Sequence, residues 1–340
     1  MSVKYDVAIV GATGLVGEVF LEVLHEREFP INKIYALASE NSVGESVKFG
    51  DQTIKVELLD TFDFEKVHYA FFSAGAKVSA LYAPQAADKG CVVIDNSSQF
   101  RYDPEIPLVV PEVNPHALEN YQVRNIIANP NCSTIQLVVA LKPIYDAVGI
   151  TRVNVATYQA VAGAGKEALE ELARQTADLL NGSESEVKAL PCQIAFNVIP
   201  HIDNFQENGY TREEMKLYWE TQKILNDQDI QVNATAVRVP VFFGHSEAVH
   251  IETTQPIDVD HVCDLLRNAP GVELYDTGLY PTPVTDAANQ DKVFVGRVRQ
   301  DISHPNGINM WVVADNVRKG AALNAVQIAE LLIQDSCYLQ

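Results

Sequence analysis

The order of hydrophobic and polar positions along the chain predicts alternating strands and helices. Short, continuous apolar runs are typical of strands that are buried on both faces of a parallel sheet. Such runs occupy residues 3–10, 33–39, 69–75 and 91–94. Between the first two runs, apolar residues recur with the spacing of one helix face, at Val16, Val19, Phe20, Val23 and Leu24. This alternation predicts an α/β fold.

A different pattern follows in the second half of the chain. Residues 153–161 alternate between apolar and polar side chains, as a strand with one exposed face does, and a helical pattern covers residues 167–180. Residues 308–313 predict another strand, and we expect the helix after it to pack back on the first domain. The change predicts a second domain with a mixed sheet. We place the first domain at residues 1–130 and 319–340, and the second at residues 131–318.

Charge and cysteine spacing narrow the kind of protein. The chain carries 45 acidic and 25 basic residues, for a formal net charge of −20. A nucleic-acid partner is not expected, because phosphate contacts need a basic surface. The five cysteines, which include Cys132 and Cys337, form no C-x-x-C pair, so neither a disulfide framework nor a metal site is predicted. No secretory signal or membrane span is readable, and a cytoplasmic protein is the expectation.

A glycine-rich turn follows the first predicted strand. Gly11, Gly14 and Gly17 stand between that strand and the helix, which is the context of a dinucleotide-binding turn. The three glycines would allow the tight turn, the approach of a pyrophosphate and the packing of the helix on the sheet. Because the spacing is G-x-x-G-x-x-G, a plain tight turn is the alternative. The cofactor-binding residues predicted here are Gly11, Thr13, Gly14, Leu15, Val16 and Gly17.

The side chains that follow the second predicted strand determine whether a dinucleotide-binding domain prefers NAD or NADP. An acidic side chain there binds the ribose hydroxyls, whereas an arginine binds the 2′-phosphate of NADP. The residues assigned to the cofactor at this place are Ser39, Glu40, Asn41 and Ser42. The small residues Ser73 and Gly75 end the third predicted strand, and we expect them at the same edge of the sheet, where cofactors lie.

The clearest candidate for chemistry is Cys132. Pro130 cannot donate an amide proton, so the apolar strand at residues 125–128 must stop there, and a helical pattern begins just beyond. At a helix N-terminus, backbone N–H groups and the helix dipole favour the thiolate, which is the nucleophilic form. Asn131 and Ser133 are placed to donate hydrogen bonds to an oxyanion. A buried, inert cysteine is the alternative, but the polar neighbours argue against it.

The segment Asn-Pro-Asn-Cys-Ser-Thr at residues 129–134 resembles the active-site segment of the aspartate-β-semialdehyde dehydrogenase family. The resemblance runs in matching order from Gly11 to the Asp-Asn-Val-Arg-Lys-Gly segment at residues 315–320, nearly the whole chain. It implies a Rossmann-type NADP-binding domain, a second α+β catalytic and dimerisation domain, and a homodimer. NADP-dependent members carry an arginine where Asn41 stands, so the use of NAD stays open.

The resemblance also implies roles for individual side chains. His245 would be the acid/base group beside Cys132, and Gln159 would position the substrate there. Phosphate and substrate binding fall to Arg101, Asn131, Lys216, Glu220 and Arg238, and the nicotinamide end of the cofactor to Ala162, Gly163 and Asn316. Read without the resemblance, Arg238 fits a buried salt bridge and His245 fits a core histidine.

The implied activity is the reversible NADPH-dependent reductive dephosphorylation of L-4-aspartyl phosphate to L-aspartate 4-semialdehyde through a cysteine thioester. This reaction belongs to lysine, threonine and methionine biosynthesis and to the diaminopimelate route. N-Acetylglutamyl-phosphate reductase and glyceraldehyde-3-phosphate dehydrogenase use the same thioester chemistry and are the alternatives among enzymes. A Rossmann-type regulatory binding protein is the alternative outside enzymes. The expected partners are small-molecule substrates, with neither nucleic acid nor membrane.

Overall fold

The computed structural model of the protein describes residues 3–334, and Cys337 lies outside the described residues. The chain divides into two compact units. The first unit contains residues 3–131 and 321–334, and the second contains residues 132–320. The chain therefore passes from one unit to the other between Asn131 and Cys132 and returns after Gly320, where the sequence placed boundaries after residues 130 and 318.

The elements alternate as the hydrophobic pattern predicted. The strands are β1 (Tyr5–Val10), β2 (Ile31–Ala38), β3 (Ser46–Phe49), β4 (Gln52–Leu58), β5 (Tyr69–Phe72), β6 (Val92–Asp95), β7 (Ile126–Ala128), β8 (Ile150–Gln159), β9 (Gln231–Arg238), β10 (His245–Thr253), β11 (Val272–Leu274), β12 (Val293–Gln300) and β13 (Gly307–Ala314). The helices are α1 (Leu15–Glu26), α2 (Ala76–Asp88), α3 (Cys132–Val148), α4 (Lys166–Leu180), α5 (Arg212–Leu225), α6 (Val259–Arg267) and α7 (Leu323–Gln334).

The first unit is built on a seven-stranded sheet in the order β3-β4-β2-β1-β5-β6-β7. Its neighbouring strands are parallel except β3 and β4, which form an antiparallel pair. Because β2 and β5 lie on opposite sides of β1, the chain reverses its direction of winding at β1. Ligands of open parallel sheets bind at the carboxyl ends of the strands beside such a point.

Helix α7 belongs to the core of the first unit although it lies near the end of the chain. Asn324 donates from Nδ2 to the carbonyl of Val109 at 3.0 Å, and Arg27, the residue after α1, pairs with Glu330 of α7 at 2.7 Å. The buried apolar face of α7 includes Leu332, which packs in the same cluster as the apolar residues of β1.

The second unit is built on a six-stranded sheet in the order β11-β12-β13-β10-β8-β9. The β8–β9 and β11–β12 pairs are parallel, and the β12–β13, β13–β10 and β10–β8 pairs are antiparallel. The predicted α/β class with a mixed second sheet is therefore confirmed. Helices α3, α5 and α6 pack against this sheet, and the alternating pattern of β8 buries Val153, Val155 and Thr157 while Asn154 and Tyr158 stay partly or largely exposed.

Strand ends of this second sheet meet at one edge. Gln159 ends β8 and pairs with Arg238, which ends the parallel strand β9. His245 begins β10, which is antiparallel to β8, and it pairs with Ala314 at the end of β13. Gln159, Arg238 and His245 therefore lie at the same end of three adjacent strands, although they are far apart in sequence.

No helix within residues 3–334 is both long enough and apolar enough to cross a membrane. In the same range, no three His, Cys, Asp or Glu side chains come together in a way that could hold a metal ion.

Candidate active site

Cys132 is the first residue of α3, where the proline-containing turn predicted a helix start. Its side chain is partly exposed. Space for the side chain depends on Gly320, because a Cβ atom at that position would lie 2.8 Å from the Cβ of Cys132. The thiol is thus held at a helix N-terminus, a position that favours the thiolate.

Arg238 is a buried cation that retains most of its hydrogen-bonding capacity. Only 6% of the residue is exposed, and burial lowers the pKa of its guanidinium, with Glu213 and Cys132 acting in the opposite direction by their charges. Within residues 3–334 the one hydrogen bond of the guanidinium runs from Nη1 to the carbonyl of Ala160 at 2.9 Å, and the guanidinium forms no ion pair. A guanidinium has five N–H donors, so this site is suited to a planar anion such as a carboxylate.

His245 lies beside Arg238 and is fully buried. Its ring atom Nδ1 accepts a hydrogen bond from the backbone N–H of Ala160 at 3.0 Å. Burial, and after it the charge of Arg238, lowers the pKa of the imidazole to about 3, while Glu213 has the opposite effect. The ring is therefore neutral near pH 7.

Gln159 connects this strand edge to helix α5. Its Nε2 donates to Oε1 of Glu213 at 3.1 Å and lies 3.4 Å from Nε2 of His245. Its Oε1 accepts from the hydroxyl of Thr157 at 3.0 Å. These contacts place Gln159 and His245, which the sequence had assigned separately, in one cluster with Glu213. Arg238 joins the cluster through Ala160, whose carbonyl accepts from Arg238 and whose N–H donates to His245.

Glu213 is the residue of this cluster to which the sequence assigned no role. It lies in the first turn of α5, which begins with a capping box between Thr211 and Glu214. Its Oε2 accepts from Nζ of Lys216 at 2.8 Å. The capping box was the signal that could have found it, since the box fixes the start of the helix and places residues 213 and 216 on one face.

Lys216, which the sequence assigned to phosphate, is engaged by two carboxylates. Its Nζ lies 2.9 Å from Asp203 and 2.8 Å from Glu213. Burial by itself lowers the pKa of Lys216, but the two carboxylates raise it above its ordinary value. Glu220, assigned to the substrate, lies seven residues after Glu213 and is fully buried. The α5 carboxylate in contact with Gln159 and Lys216 is thus Glu213.

The loop after β8 borders the same cluster. A Cβ atom at Gly163 would lie 3.1 Å from Nη1 of Arg238 and 3.5 Å from Nε2 of His245, so a glycine keeps this space open. The backbone N–H of Ala162 donates to the carbonyl of Phe242 at 3.1 Å, which ties this loop to the one before β10.

Asn316 supports the loop before β10. Its Oδ1 accepts from the N–H of Gly244 at 2.9 Å, and the residue is buried. The side-chain nitrogen is left as the group that could donate to a ligand.

In the first unit, the turn after β1 is too tightly packed for a side chain at Gly11 or Gly17. Gly11 has a φ angle of +85°, and its carbonyl accepts from the N–H of Gly14 at 3.0 Å. A Cβ atom at Gly17 would lie 2.2 Å from the carbonyl oxygen of Gly11. Helix α1 begins at Leu15, so its N-terminus follows the turn and can receive phosphate groups. Val16, the next assigned residue, is partly buried.

The turns after β2 and β5 lie at the same edge of this sheet as the glycine turn. Thr13 donates from Oγ1 to Oγ of Ser42 at 3.4 Å, and Ser73 donates from its hydroxyl to the carbonyl of Val10 at 3.2 Å. The remaining residues assigned to the cofactor here, Ser39, Glu40, Asn41 and Gly75, are exposed. The cofactor residues that the sequence assigned to the first unit therefore lie on three neighbouring turns.

Arg101 and Asn131 are also in the first unit, and both are 6% exposed. Arg101 donates from Nη2 to the carbonyl of Asn96 at 2.9 Å. Its charge lowers the pKa of the neighbouring Asp95, although burial of that carboxyl has the larger, opposite effect and leaves the pKa raised.

A second buried carboxyl lies two residues after His245. Glu247 of β10 is fully buried, and neither of its carboxyl oxygens makes a hydrogen bond of normal geometry within residues 3–334. Burial raises the pKa of Glu247 well above its ordinary value, and the nearby Gln136 side chain only partly opposes this. The folded protein therefore keeps this group as a neutral acid over a wide pH range.

Replacing Glu247 with glutamine should remove a pH-dependent loss of stability. The unfolded chain releases the Glu247 proton near a pKa of about 4.3 and the folded chain only at higher pH, so folding loses up to about 1.4 kcal/mol per pH unit between the two values. We expect the urea concentration at the midpoint of unfolding to be higher for Glu247→Gln than for the wild type, by a margin that grows from pH 5.5 to pH 8. A margin independent of pH would contradict the prediction.

Comparisons with known proteins agree with this arrangement. Residues 6–121 match the family model described as semialdehyde dehydrogenase, NAD binding domain, and residues 141–319 match semialdehyde dehydrogenase, dimerisation domain. Aspartate-semialdehyde dehydrogenase 2 of Vibrio cholerae is 62% identical over 335 residues, which cover 98% of this chain and 99% of that protein. The aspartate-semialdehyde dehydrogenase of Aquifex aeolicus is 53% identical over 336 residues, covering 97% and 98%.

Solved structures give the same result. The crystal structure of aspartate semialdehyde dehydrogenase II from V. cholerae complexed with ASA has a TM-score of 0.98 and 61% identity, and the match covers 98% of this chain and all of that one. A probable aspartate-semialdehyde dehydrogenase from Pseudomonas aeruginosa has a TM-score of 0.94 at 38% identity, covering 98% and 99%. With a cysteine at a helix N-terminus, a buried arginine and a dinucleotide-binding turn already in place, this chain is an oxidoreductase that belongs to the aspartate-semialdehyde dehydrogenase family.

Proposed function

We propose that this chain catalyses the reversible reductive dephosphorylation of L-4-aspartyl phosphate to L-aspartate 4-semialdehyde, a reaction of lysine, threonine and methionine biosynthesis. The observation that carries the proposal is the buried guanidinium of Arg238, which forms one hydrogen bond and lies within electrostatic range of Cys132 and Glu213. An amino acid substrate brings a carboxylate for the guanidinium and an ammonium for Glu213. Its reacting side-chain carbonyl then faces the sulfur.

Recognition of the α-carboxylate falls to Arg238. Guanidinium and carboxylate are both planar, so they form two parallel charge-assisted hydrogen bonds. Glu213 takes the substrate ammonium, and Gln159, whose amide orientation is fixed by Thr157 and Glu213, holds the reacting end against Cys132.

Cys132 forms the covalent intermediate. Its thiolate attacks the carbonyl carbon of the acyl phosphate, and phosphate leaves. The resulting thioester is a better hydride acceptor than a free carboxylate, which explains why the reaction uses a nucleophilic cysteine. Asn131 precedes the nucleophile in the chain, and we assign it to the substrate. Arg101 and Lys216 are the cations that we assign to phosphate, and Lys216 reaches it only by giving up part of its contact with Asp203 or Glu213.

The cofactor that we propose is NADP, which supplies or takes up the hydride when it is bound. The open backbone at Gly11, Gly14 and Gly17 fits a pyrophosphate, because a side chain at Gly17 would meet the Gly11 carbonyl. Exposed, uncharged side chains at Ser39 and Asn41 are available to the 2′-phosphate. Ala162, Gly163 and Asn316 are assigned to the nicotinamide end.

A basic residue at position 41 should sharpen the preference for NADP. A charge-assisted hydrogen bond to a phosphate contributes about 1.5–3 kcal/mol, so Asn41→Arg should raise the ratio of kcat/KM for NADPH over NADH by about 10- to 100-fold. Asn41→Gln keeps the polarity without the charge and serves as the control. An unchanged ratio in Asn41→Arg would place the 2′-phosphate away from this turn.

The overall proposal is tested by one steady-state assay. Wild-type protein should reduce NADP in the presence of L-aspartate 4-semialdehyde and phosphate, and the rate should depend on both. The same assay with N-acetylglutamate semialdehyde and with glyceraldehyde 3-phosphate separates the two related thioester chemistries. A higher kcat/KM with either of those aldehydes would contradict the aspartyl substrate, and a higher kcat/KM with NAD would contradict the cofactor.

We also propose a homodimer that forms through the sheet face turned away from α3. The matched dimerisation-domain model covers this unit, and Ala156 and His250 lie partly exposed on that face. A charge at the centre of such an interface costs several kcal/mol, so Ala156→Asp should weaken association by about 100-fold or more. Sedimentation velocity should show a dimer for the wild type and for the surface control Ile302→Asp, and monomers for Ala156→Asp. A monomeric wild type would overturn this proposal.

A further inference from the structure

Helix α5 and the loop before it hold a lysine between two carboxylates. Nζ of Lys216 lies 2.8 Å from Oε2 of Glu213 and 2.9 Å from Oδ2 of Asp203. The side chain of Lys216 is 12% exposed and that of Asp203 is 27% exposed. An ammonium group has three donors, so two of the three are used by carboxylates that the chain itself supplies.

The two carboxylates are held in different ways. Glu213 lies on α5 three residues before Lys216, and its Oε1 accepts from Nε2 of Gln159 at 3.1 Å. Asp203 lies outside the helix, and within residues 3–334 its other hydrogen bonds come from the backbone N–H and the side-chain nitrogen of Asn204. Its one ion pair in that range is with Lys216. Asp203 can therefore release the lysine without disturbing Gln159.

Backbone contacts fix Asp203 beside the first turn of α5. The short turn that follows it is closed by a bridge between Phe205 and Thr211. The carbonyl of Asn204 accepts from the N–H of Arg212, the first residue of α5, at 2.8 Å. The fold therefore places the Asp203 carboxylate next to the lysine even though the two residues are 13 positions apart.

The charge of Asp203 opposes the binding of an anion at this lysine. Burial by itself raises the pKa of Asp203, but the hydrogen bond and the charge of Lys216 lower it below its ordinary value. The group is thus a carboxylate near pH 7. A phosphate that approaches Nζ of Lys216 meets a like charge already in contact with the same nitrogen, so it binds well only if that contact opens.

We propose that Asp203 competes with phosphate for Lys216 and thereby sets the affinity of this enzyme for phosphate. The exchange takes place at Asp203 and not at Glu213, because Glu213 is also held by Gln159 and lies on the same helix face as the lysine. When phosphate leaves, Asp203 takes the ammonium group back, which favours release of phosphate in the direction that forms the aldehyde. The proposal rests on the assignment of Lys216 to phosphate in the function given above.

Asparagine at position 203 removes the charge and keeps the local backbone. Asp203 has a φ angle of +66°, in the left-handed region that asparagine also adopts, and an amide oxygen can still accept from the N–H of Asn204. We expect Asp203→Asn to lower KM for phosphate by about 5-fold, the upper end of what a partly exposed ion pair contributes, and to change KM for L-aspartate 4-semialdehyde by less than about twofold. Damage to the fold would not improve phosphate binding.

Two further variants serve as controls. Asp264→Asn makes the same change in net charge at an exposed pair with Arg267 on α6, and it should leave KM for phosphate unchanged. In a Lys216→Met background, Asp203→Asn should no longer lower this KM, because the competition acts only through the lysine. An unchanged KM for phosphate in Asp203→Asn, or an equal fall in Asp264→Asn, would overturn the proposal.

Two measurements with inorganic phosphate alone need no aldehyde. Calorimetric titration should show the same gain in affinity in Asp203→Asn. A crystal structure of the wild type with inorganic phosphate, which does not require a variant to fold, should show Lys216 in contact with phosphate and Glu213 and separated from Asp203. Phosphate bound with the Asp203 contact intact, or absent from Lys216, would overturn the proposal. Because neither measurement uses the aspartyl substrate, a failure of that substrate in the steady-state assay is distinguished from a failure here.

Discussion

Replacing Cys132 with serine should lower kcat/KM for phosphate-dependent oxidation of L-aspartate 4-semialdehyde by about 10,000-fold or more, the scale of loss when a catalytic nucleophile is removed. A serine hydroxyl remains protonated near pH 7, whereas the thiol lies at the N-terminus of α3 within electrostatic range of Arg238, which favours the thiolate. Without the thiolate no thioester forms, and hydride transfer has no substrate.

The measurement is a steady-state rate together with NADP binding by fluorescence. Binding should persist in Cys132→Ser, because the cofactor turn belongs to the other unit of the chain. Cys192 is exposed and Cys263 is partly exposed, so the serine variants of these two cysteines are matched controls that should keep wild-type rates. If Cys132→Ser retained more than about one hundredth of the activity, a covalent route through this residue would be refuted.

Replacing Arg238 with methionine should lower kcat/KM for the same substrate by about 1,000-fold, because truncating one partner of a buried charge pair costs about 2–5 kcal/mol. The variant keeps the volume of the side chain but leaves both the substrate carboxylate and Glu213 without the guanidinium. Arg238→Lys should recover only part of the loss, since an ammonium cannot form the two parallel bonds of a guanidinium.

A surface arginine provides the control. Arg267 of α6 pairs with Asp264 at 2.7 Å and is largely exposed, so Arg267→Met should change kcat/KM by less than twofold, in line with the small contribution of exposed ion pairs. Since Arg238 lowers the pKa of His245, the Arg238→Met variant should also show a higher pKa for this ring. Full activity in Arg238→Met would move the carboxylate site elsewhere.

Local sequence signals were sufficient to predict helix starts and tight turns, because these features depend on residues that are neighbours in the chain. The proline turn predicted a helix start close to Cys132, and α3 begins at that residue. The capping box between Thr211 and Glu214 marks the start of α5. The glycines between β1 and α1 predicted a tight turn that joins the strand to the helix, and Gly11 has the positive φ angle that such a turn needs. Such signals are readable because backbone geometry, hydrogen-bond caps and side-chain size act over a few positions.

The tertiary structure was needed to tell which of two similar residues contacts the site. Glu213 and Glu220 lie on the same helix, and nothing in the local sequence says which of them contacts Gln159. The backbone amide of Ala160 has no side-chain signal at all, yet it donates a hydrogen bond to Nδ1 of His245 at 3.0 Å. These assignments depend on where β8, β9 and β10 end relative to one another.

What the sequence alone determined is the class of the protein and the alternation of its elements, and it also predicted the dinucleotide-binding turn and the candidate nucleophile Cys132. What only the tertiary structure decided is how Gln159, Arg238 and His245 become neighbours and which carboxylate lies beside them. The physical reason is strand order. Parallel β8 and β9 bring their last residues to the end of the sheet where antiparallel β10 begins. Burial there lowers the pKa of both Arg238 and His245.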